Sequence, residues 1–345
     1  MLKAAGKAPV LVAAVAIIAG SVPPAQAEGD EAAVAAAIAD ATGRALQADL
    51  SSAIAALEPW KSSPEAAKLH ACMSERLTAT ATPAAGAAAP GSAAILARFR
   101  AYWARALARP AERAAATAAL QADLAAMLGV ARDWDAIEPA VRARFAADGQ
   151  HVLMGQTGAL RELMVWSRQD RRDVAVDLPE GAHTVSVVYM RDFDSLGWSD
   201  WATCGRRGTG GWATGEGLHA VVPRYQSLDA EEFRVTFLGH EAQHFADLQR
   251  FAKLPPWRLE YRAKLVELVQ ARVTIDRILK KFGEDQSDDP ELPHSHANRL
   301  VLRDMRARLG LKDAAELRTV DPERRSKAAL DLLRRDTARL SEARS

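Results

Sequence analysis

The segment Asp229-Ala230-Glu231-Glu232-Phe233-Arg234-Val235-Thr236-Phe237-Leu238-Gly239-His240-Glu241-Ala242-Gln243-His244-Phe245-Ala246-Asp247-Leu248 decides how the chain is read. Phe233, Phe237, Leu248 and Phe251 recur at helical spacing, so a helix is expected over about 230–251, stopping ahead of Pro255-Pro256. Asp229, with Glu232 three residues on, has the form of a capping box at its start. Inside this helix His240-Glu241-Ala242-Gln243-His244 has the spacing H-E-x-x-H. Positions i and i+4 share one helix face a turn apart, so the two imidazoles can converge on one ion. Glu241 stands beside the first imidazole, where it can take a proton from a water at the metal. Two neutral nitrogens and a carboxylate suit Zn2+ and leave a position open.

The identity of the third ligand separates the classes. The extended pattern H-E-x-x-H-x-x-G-x-x-H is excluded, because Asp247 stands at its glycine and Arg250 at its last histidine. A carboxylate from the next helix is the other solution, and Glu260 and Glu267 are available. The connection 253–257 is short and holds two prolines, so the next helix folds back and a glutamate in its first turn reaches the imidazoles. Glu267 lies two turns further on, about 10 Å along the axis, and is the alternative ligand. Asp247, on the same face as His240 and His244, is a candidate to orient an imidazole from the second rank. His219, Tyr225, Tyr261, His294 and His296 are the candidate donors to a tetrahedral oxyanion.

With these residues in view, the chain resembles the gluzincin zinc metallopeptidases. Glu260-Tyr261-Arg262-Ala263 is similar to the E-[FY]-x-A-D signature of the family of the heat-shock protease HtpX and the CAAX prenyl endopeptidases. The resemblance implies Glu260 as third zinc ligand, and a motif helix under a small sheet with the ligand glutamate on the following helix. It covers roughly 60 residues around the motif. Lys264 replaces the family's Asp, the gap from His244 to Glu260 is shorter than in that family, and its transmembrane helices have no counterpart here.

Outward from the motif, residues 173–178 alternate apolar and polar, Pro179-Glu180-Gly181 supplies a turn, and 183–190 is β-branched and alternating, which predicts a β-hairpin. Residues 218–222 form a third strand candidate, and 161–169 read as the end of a helix. The Gly- and Trp-rich stretch 197–217 reads as a long loop and, with Trp198, Trp201 and Trp212, as a lid or a core-packing segment. Helices are expected at about 258–281 and twice more toward the C-terminus, the last capped by Asp321 with Pro322 following. The alanine-rich front reads as helices over 28–57, 64–77 and 93–147, broken near Pro110 and Asp133. The fold class is therefore mainly α with a small β-sheet, a zincin-like core of a motif helix under a few strands, flanked by helical N- and C-terminal regions.

The domain reading is an export signal over 1–27, an alanine-rich helical region over 28–77, an Ala/Pro/Thr linker over 78–92, a helical region over 93–150, a metallopeptidase core over 151–285 and C-terminal helices over 286–345. Lys3 and Lys7, an apolar run over 9–20 and Ala25-Gln26-Ala27 have the order of a cleavable signal, too short to span a bilayer. This places the protein in the periplasm or outside the cell, with no stable membrane span once the signal is removed. Cys72 and Cys204 are the two cysteines, and an oxidising compartment permits a disulfide between them. The 45 Lys and Arg nearly match the 44 Asp and Glu, which argues against a nucleic-acid partner. The expected function is hydrolysis of peptide bonds in a protein or peptide substrate, with Zn2+ held by His240, His244 and Glu260 and with Glu241 as general base. The alternative is a zinc-binding, non-catalytic envelope protein that acts in binding or assembly through its helices. Oligomeric state is left open.

Overall fold

The sheet organises the rest of the chain. A computed structural model describes residues 24–78, 91–214, 216–251 and 253–342. The strand order is β1-β2-β3-β5-β4, with β1 His151–Thr157, β2 Leu160–Leu178, β3 Gly181–Leu196, β4 Gly211–Thr214 and β5 Gly217–Val221. All neighbours are antiparallel except β3 and β5, which run parallel. The expected hairpin is present: Val174 faces Val185, Leu178 faces Gly181, and Pro179-Glu180 makes the turn. The protein is thus mainly α-helical with a small mixed sheet.

Two expectations near the sheet are corrected. Residues 161–169 are not helical but form the first half of β2, with Leu163 to Trp166 buried between β1 and β3. A strand with partners on both sides and cover on both faces carries no alternation, so its apolar run looks like a helix segment. The stretch 197–217 is not one loop, because it holds the short helix α7 Trp198–Ala202 and the edge strand β4. Trp198 and Trp201 are buried in a core and form no lid.

In front of the sheet lie α1 Pro24–Leu46, α2 Leu50–Leu57, α3 Pro64–Leu77, α4 Ser92–Ala108, α5 Arg113–Leu128 and α6 Trp134–Ala147. They share one core with β1 and the start of β2, centred on Phe99, Trp103, Phe145 and Leu163. The Trp103 indole donates to the Arg161 carbonyl at 2.9 Å, which docks α4 on β2. A Cys72–Cys204 disulfide ties α3 to the turn after α7.

The second core covers the other half of the hairpin and the remaining helices: α8 Glu231–Phe233, α9 His240–Arg250, α10 Pro256–Gln270, α11 Ile275–Glu284, α12 Pro293–Leu309 and α13 Pro322–Glu342. The helix expected over 258–281 is two helices. The break is held by Glu231, whose carboxylate accepts the backbone N–H groups of Arg272, Val273 and Thr274 at 2.8, 3.1 and 2.8 Å. The capping box at Asp229 is also corrected. The residue before α8 is Ala230, without a side-chain cap, and Glu232, the second member of the expected box, pairs with Arg277 at 2.7 Å. Asp321 does cap α13, accepting from the Arg324 N–H at 2.9 Å. Among the described residues no helix is long and apolar enough to cross a membrane. The expected export signal 1–27 and linker 78–92 lie, except for a few residues at their edges, outside the described residues.

Candidate metal centre

The motif helix is not a uniform α-helix. α8 runs into a π-helix, Arg234–Gly239, which hands over to α9 at His240 itself. A π segment widens the backbone and marks functional positions in many helices. Gly239 closes it against α10, where a Cβ would meet Gln270 Oε1 at 2.8 Å and the Arg234 carbonyl at 3.2 Å. A larger residue there would have to displace the end of the Gln270 side chain next to the first histidine.

His240 and His244 project from one face of α9, with Nε2 atoms 3.1 Å apart. Glu260, in the second turn of α10, lies across from both: one oxygen is 3.5 Å from His240 Nε2 and the other 3.4 Å from His244 Nε2. These three residues form a group able to hold a metal ion. The edge of a ligand tetrahedron around an ion held at about 2.1 Å is about 3.4 Å, close to all three separations. His244 Nδ1 is buried without a hydrogen-bond partner.

Glu267, the alternative ligand, takes another place. Its carboxylate is 2.5 Å from His240 Nδ1, on the side of the ring away from His244. It receives the Nδ1 proton and so keeps the Nε2 lone pair turned to the site, the usual arrangement behind a ligating histidine. Burial opposes the charged form of His240, but the Glu260 and Glu267 carboxylates outweigh it and push the imidazole up to about 9. Burial also disfavours the Glu260 carboxylate, and the surrounding histidines reverse this and hold it well below the ordinary carboxylate range. Without a metal, His240 therefore carries a second proton, on Nε2, that an ion would have to displace, while Glu260 is held as the carboxylate.

Asp247 does not meet an imidazole. It is buried, accepts from Gln243 at 2.9 Å, and pairs with Arg262 at 2.8 Å. Arg262 is fully buried and also reaches Asp336 on α13 at 3.2 Å and Glu180 in the hairpin turn at 3.0 Å. Because Arg262 is two residues from Glu260, this hub locks the ligand-bearing helix to the motif helix, the sheet and the last helix together. The spacing that aimed Asp247 toward the metal could not register a buried arginine that competes for it.

A cavity of about 640 Å³ opens over the three ligand residues and is lined by Glu241, Glu267 and the edge strand β4 among others. Tyr225 lines it too, with its hydroxyl donating to the Gly210 carbonyl at 3.1 Å. Burial first, then the Glu232 and Glu241 charges, pushes this phenol up, so it remains a protonated donor. His294, at the start of α12, stands at the mouth with Nδ1 2.8 Å from Glu260 Oε2. The other candidate donors lie elsewhere. His219 stacks on Trp212 at 5.2 Å and faces a separate groove, Tyr261 donates to Asp304 at 2.9 Å, and His296 meets the Ser287 carbonyl and the edge of Trp257. The motif stretch did not announce Lys264, Arg277 and Lys281, which line the cavity from α10 and α11. Their signal was the substitution at 264 and the i, i+4 pair of cations at 277 and 281.

No protein-family model matches the chain, and neither a curated protein nor a solved structure is similar to it.

Proposed function

We propose that the chain is an exported zinc metallopeptidase of gluzincin type. The observation that carries this reading is the convergence of His240 Nε2, His244 Nε2 and the Glu260 carboxylate within 3.5 Å of one another, at the floor of a cavity that Glu241 also lines. Two imidazoles and one carboxylate are a donor set suited to Zn2+ with a position left open. Zn2+ there supplies the Lewis acidity that makes water a usable nucleophile and polarises a carbonyl near neutral pH.

The chain's own groups do the remaining work. Glu241 forms no hydrogen bond or ion pair with another side chain among the described residues, so its carboxylate is free to take a proton from the attacking water and pass it to the leaving amine. Tyr225 lines the same cavity and keeps its proton, and its hydroxyl would act as an oxyanion donor on giving up its hydrogen bond to the Gly210 carbonyl. Glu267 fixes the His240 tautomer. β4 presents an unpaired strand edge along the cavity, suited to an extended peptide. The Cys72–Cys204 disulfide supports the export reading, since such bridges persist in oxidising compartments.

The test is metal content and cleavage in the wild type, Glu241→Gln and His244→Ala. The expected result is about one zinc per chain in the wild type and in Glu241→Gln, chelator-sensitive cleavage of unfolded proteins by the wild type alone, and loss of zinc in His244→Ala. Retained zinc without any cleavage moves the reading to a metal-stabilised binding protein. Absence of bound zinc in the wild type removes both.

A further inference from the structure

The charges around the cavity do not balance as a plain peptide site would need. Four carboxylates line it, Glu232, Glu241, Glu260 and Glu267, with three fixed cations, Lys264, Arg277 and Lys281. Most of the anions are committed. Glu267 holds His240 at 2.5 Å, Glu232 holds Arg277 at 2.7 Å, and Glu260 faces both imidazoles.

Lys264 is the exception among the cations. Its side chain is 3% exposed, and its ammonium lies over the Phe282 ring at 5.0 Å. Its nearest anion is Glu260 Oε2 at 3.5 Å, and it makes no hydrogen bond to another side chain among the described residues. A buried ammonium is tolerated only with a partner. The partner here belongs to the candidate ligand set and also lies 2.8 Å from His294 Nδ1, so a dication held there would draw on the same carboxylate and leave Lys264 next to a second cation. An anion entering the cavity relieves this. Lys281, exposed on α11 beside Phe282, lines the same cavity and has no ion pair among the described residues.

We propose that Lys264 and Lys281 bind a carboxylate of the substrate, so that the cavity prefers peptides with a carboxylate beside the bond to be cut. This rests on the hydrolase reading above. Phosphate is disfavoured because Arg277, the one guanidinium on the cavity wall among the described residues, is already occupied by Glu232, and two lysines offer point charges and no fork. The carboxylate has two sources, the C-terminus of a peptide or an Asp or Glu side chain.

The experiment uses the full chain carrying Glu241→Gln, loaded with zinc so that it binds without cutting, and isothermal titration calorimetry. One pair of probes is pentaalanine as free acid and as C-terminal amide. The other is an end-blocked pentapeptide with a central Glu or a central Gln. At least tenfold tighter binding of the charged member is expected in one pair or both, and the pair that shows it identifies the source. Adding Lys281→Met is expected to shrink the preference by at least threefold, and Lys264→Met to bring it within about twofold. Zinc content and the circular dichroism spectrum are recorded for each variant, and the exposed Lys281 keeps the test decisive if Lys264→Met fails to fold. Equal affinities in both pairs, or no peptide binding at all, overturn the proposal. A wild-type enzyme that cleaves while showing no preference overturns this inference alone, whereas a carboxylate preference in a protein that never cleaves overturns the hydrolase reading and leaves the carboxylate site.

Discussion

Glu162→Gln should stabilise the protein, and increasingly so as the pH rises. Glu162 lies on β2, 6% exposed, and one of its oxygens accepts the backbone N–H groups of Leu163 and Trp198, both at 3.0 Å. It thereby holds the start of α7, and the positive φ of Gly197 (91°) brings that backbone over the carboxylate. Burial dominates and pushes the carboxyl up from 4.5 to about 7, against the N–H groups of Trp198 and Leu163 and the Thr157 hydroxyl, which favour the anion. A folded value above the unfolded one means that the neutral acid is the form the fold prefers. Its contribution is therefore complete below about pH 4.5 and is lost as the pH rises through about 7. At about 1.4 kcal/mol per pH unit of difference, the loss totals about 3 kcal/mol above neutrality, of which about 1 kcal/mol has accrued by pH 5. Glutamine keeps the accepting oxygen and carries no charge. Urea denaturation of wild type and variant at pH 5 and pH 8 should show the variant's advantage growing by about 2 kcal/mol between them. An advantage independent of pH, or one that shrinks toward pH 8, refutes the account of Glu162 as a carboxyl held neutral by burial.

Three other perturbations separate the parts of the molecule. Glu267→Gln should weaken zinc binding about 10- to 100-fold in a chelator competition without changing the circular dichroism spectrum, because it disturbs only the proton on His240 Nδ1. Arg262→Leu should cost about 3–5 kcal/mol in chemical denaturation, since it leaves the Asp247, Asp336 and Glu180 carboxylates without their shared cation. Cys72→Ser should cost about 2–5 kcal/mol, by removing a crosslink between residues 132 apart in sequence, with zinc content unchanged.

What the sequence alone could express was what depends on short range. His240, Glu241 and His244 need only helical geometry, and Glu260 follows from a connection too short to place the next helix anywhere else. The hairpin was legible because Val174 to Leu178 and His183 to Val187, on either side of the turn, are covered mainly on one face and alternate. The first half of β2 was not, since Leu163 to Trp166 are buried on both faces and lose the alternation that signals a strand. The break between α10 and α11 was hidden for a different reason. Nothing near Ala271 ends a helix, and the carboxylate that satisfies the freed N–H groups comes from Glu231, about 40 residues earlier. Asp247 belongs with these cases, because helical spacing gives its direction but not which buried charge meets it there.

Position 264 sets the sign of the charge beside the candidate ligand group. It lies one helical turn beyond Glu260, where the signature that Glu260-Tyr261-Arg262-Ala263 resembles carries an aspartate. A carboxylate there would stand with Glu260 and Glu267 as a third anion within reach of the two imidazoles, favouring a cation and repelling acidic substrates. Lysine reverses the sign. With Glu260 drawn to a metal, the buried ammonium over Phe282 has no anion of its own, and the electrostatic gain from a substrate carboxylate is largest in a water-poor cavity. On the proposed reading, the residues that would hold the metal thus stand beside a charge that selects what enters. Reversing only that charge, with Lys264→Glu in the zinc-loaded Glu241→Gln protein, should invert the preference between the free-acid and amide forms of one peptide, and an unchanged preference would assign Lys264 to the packing of Phe282 alone.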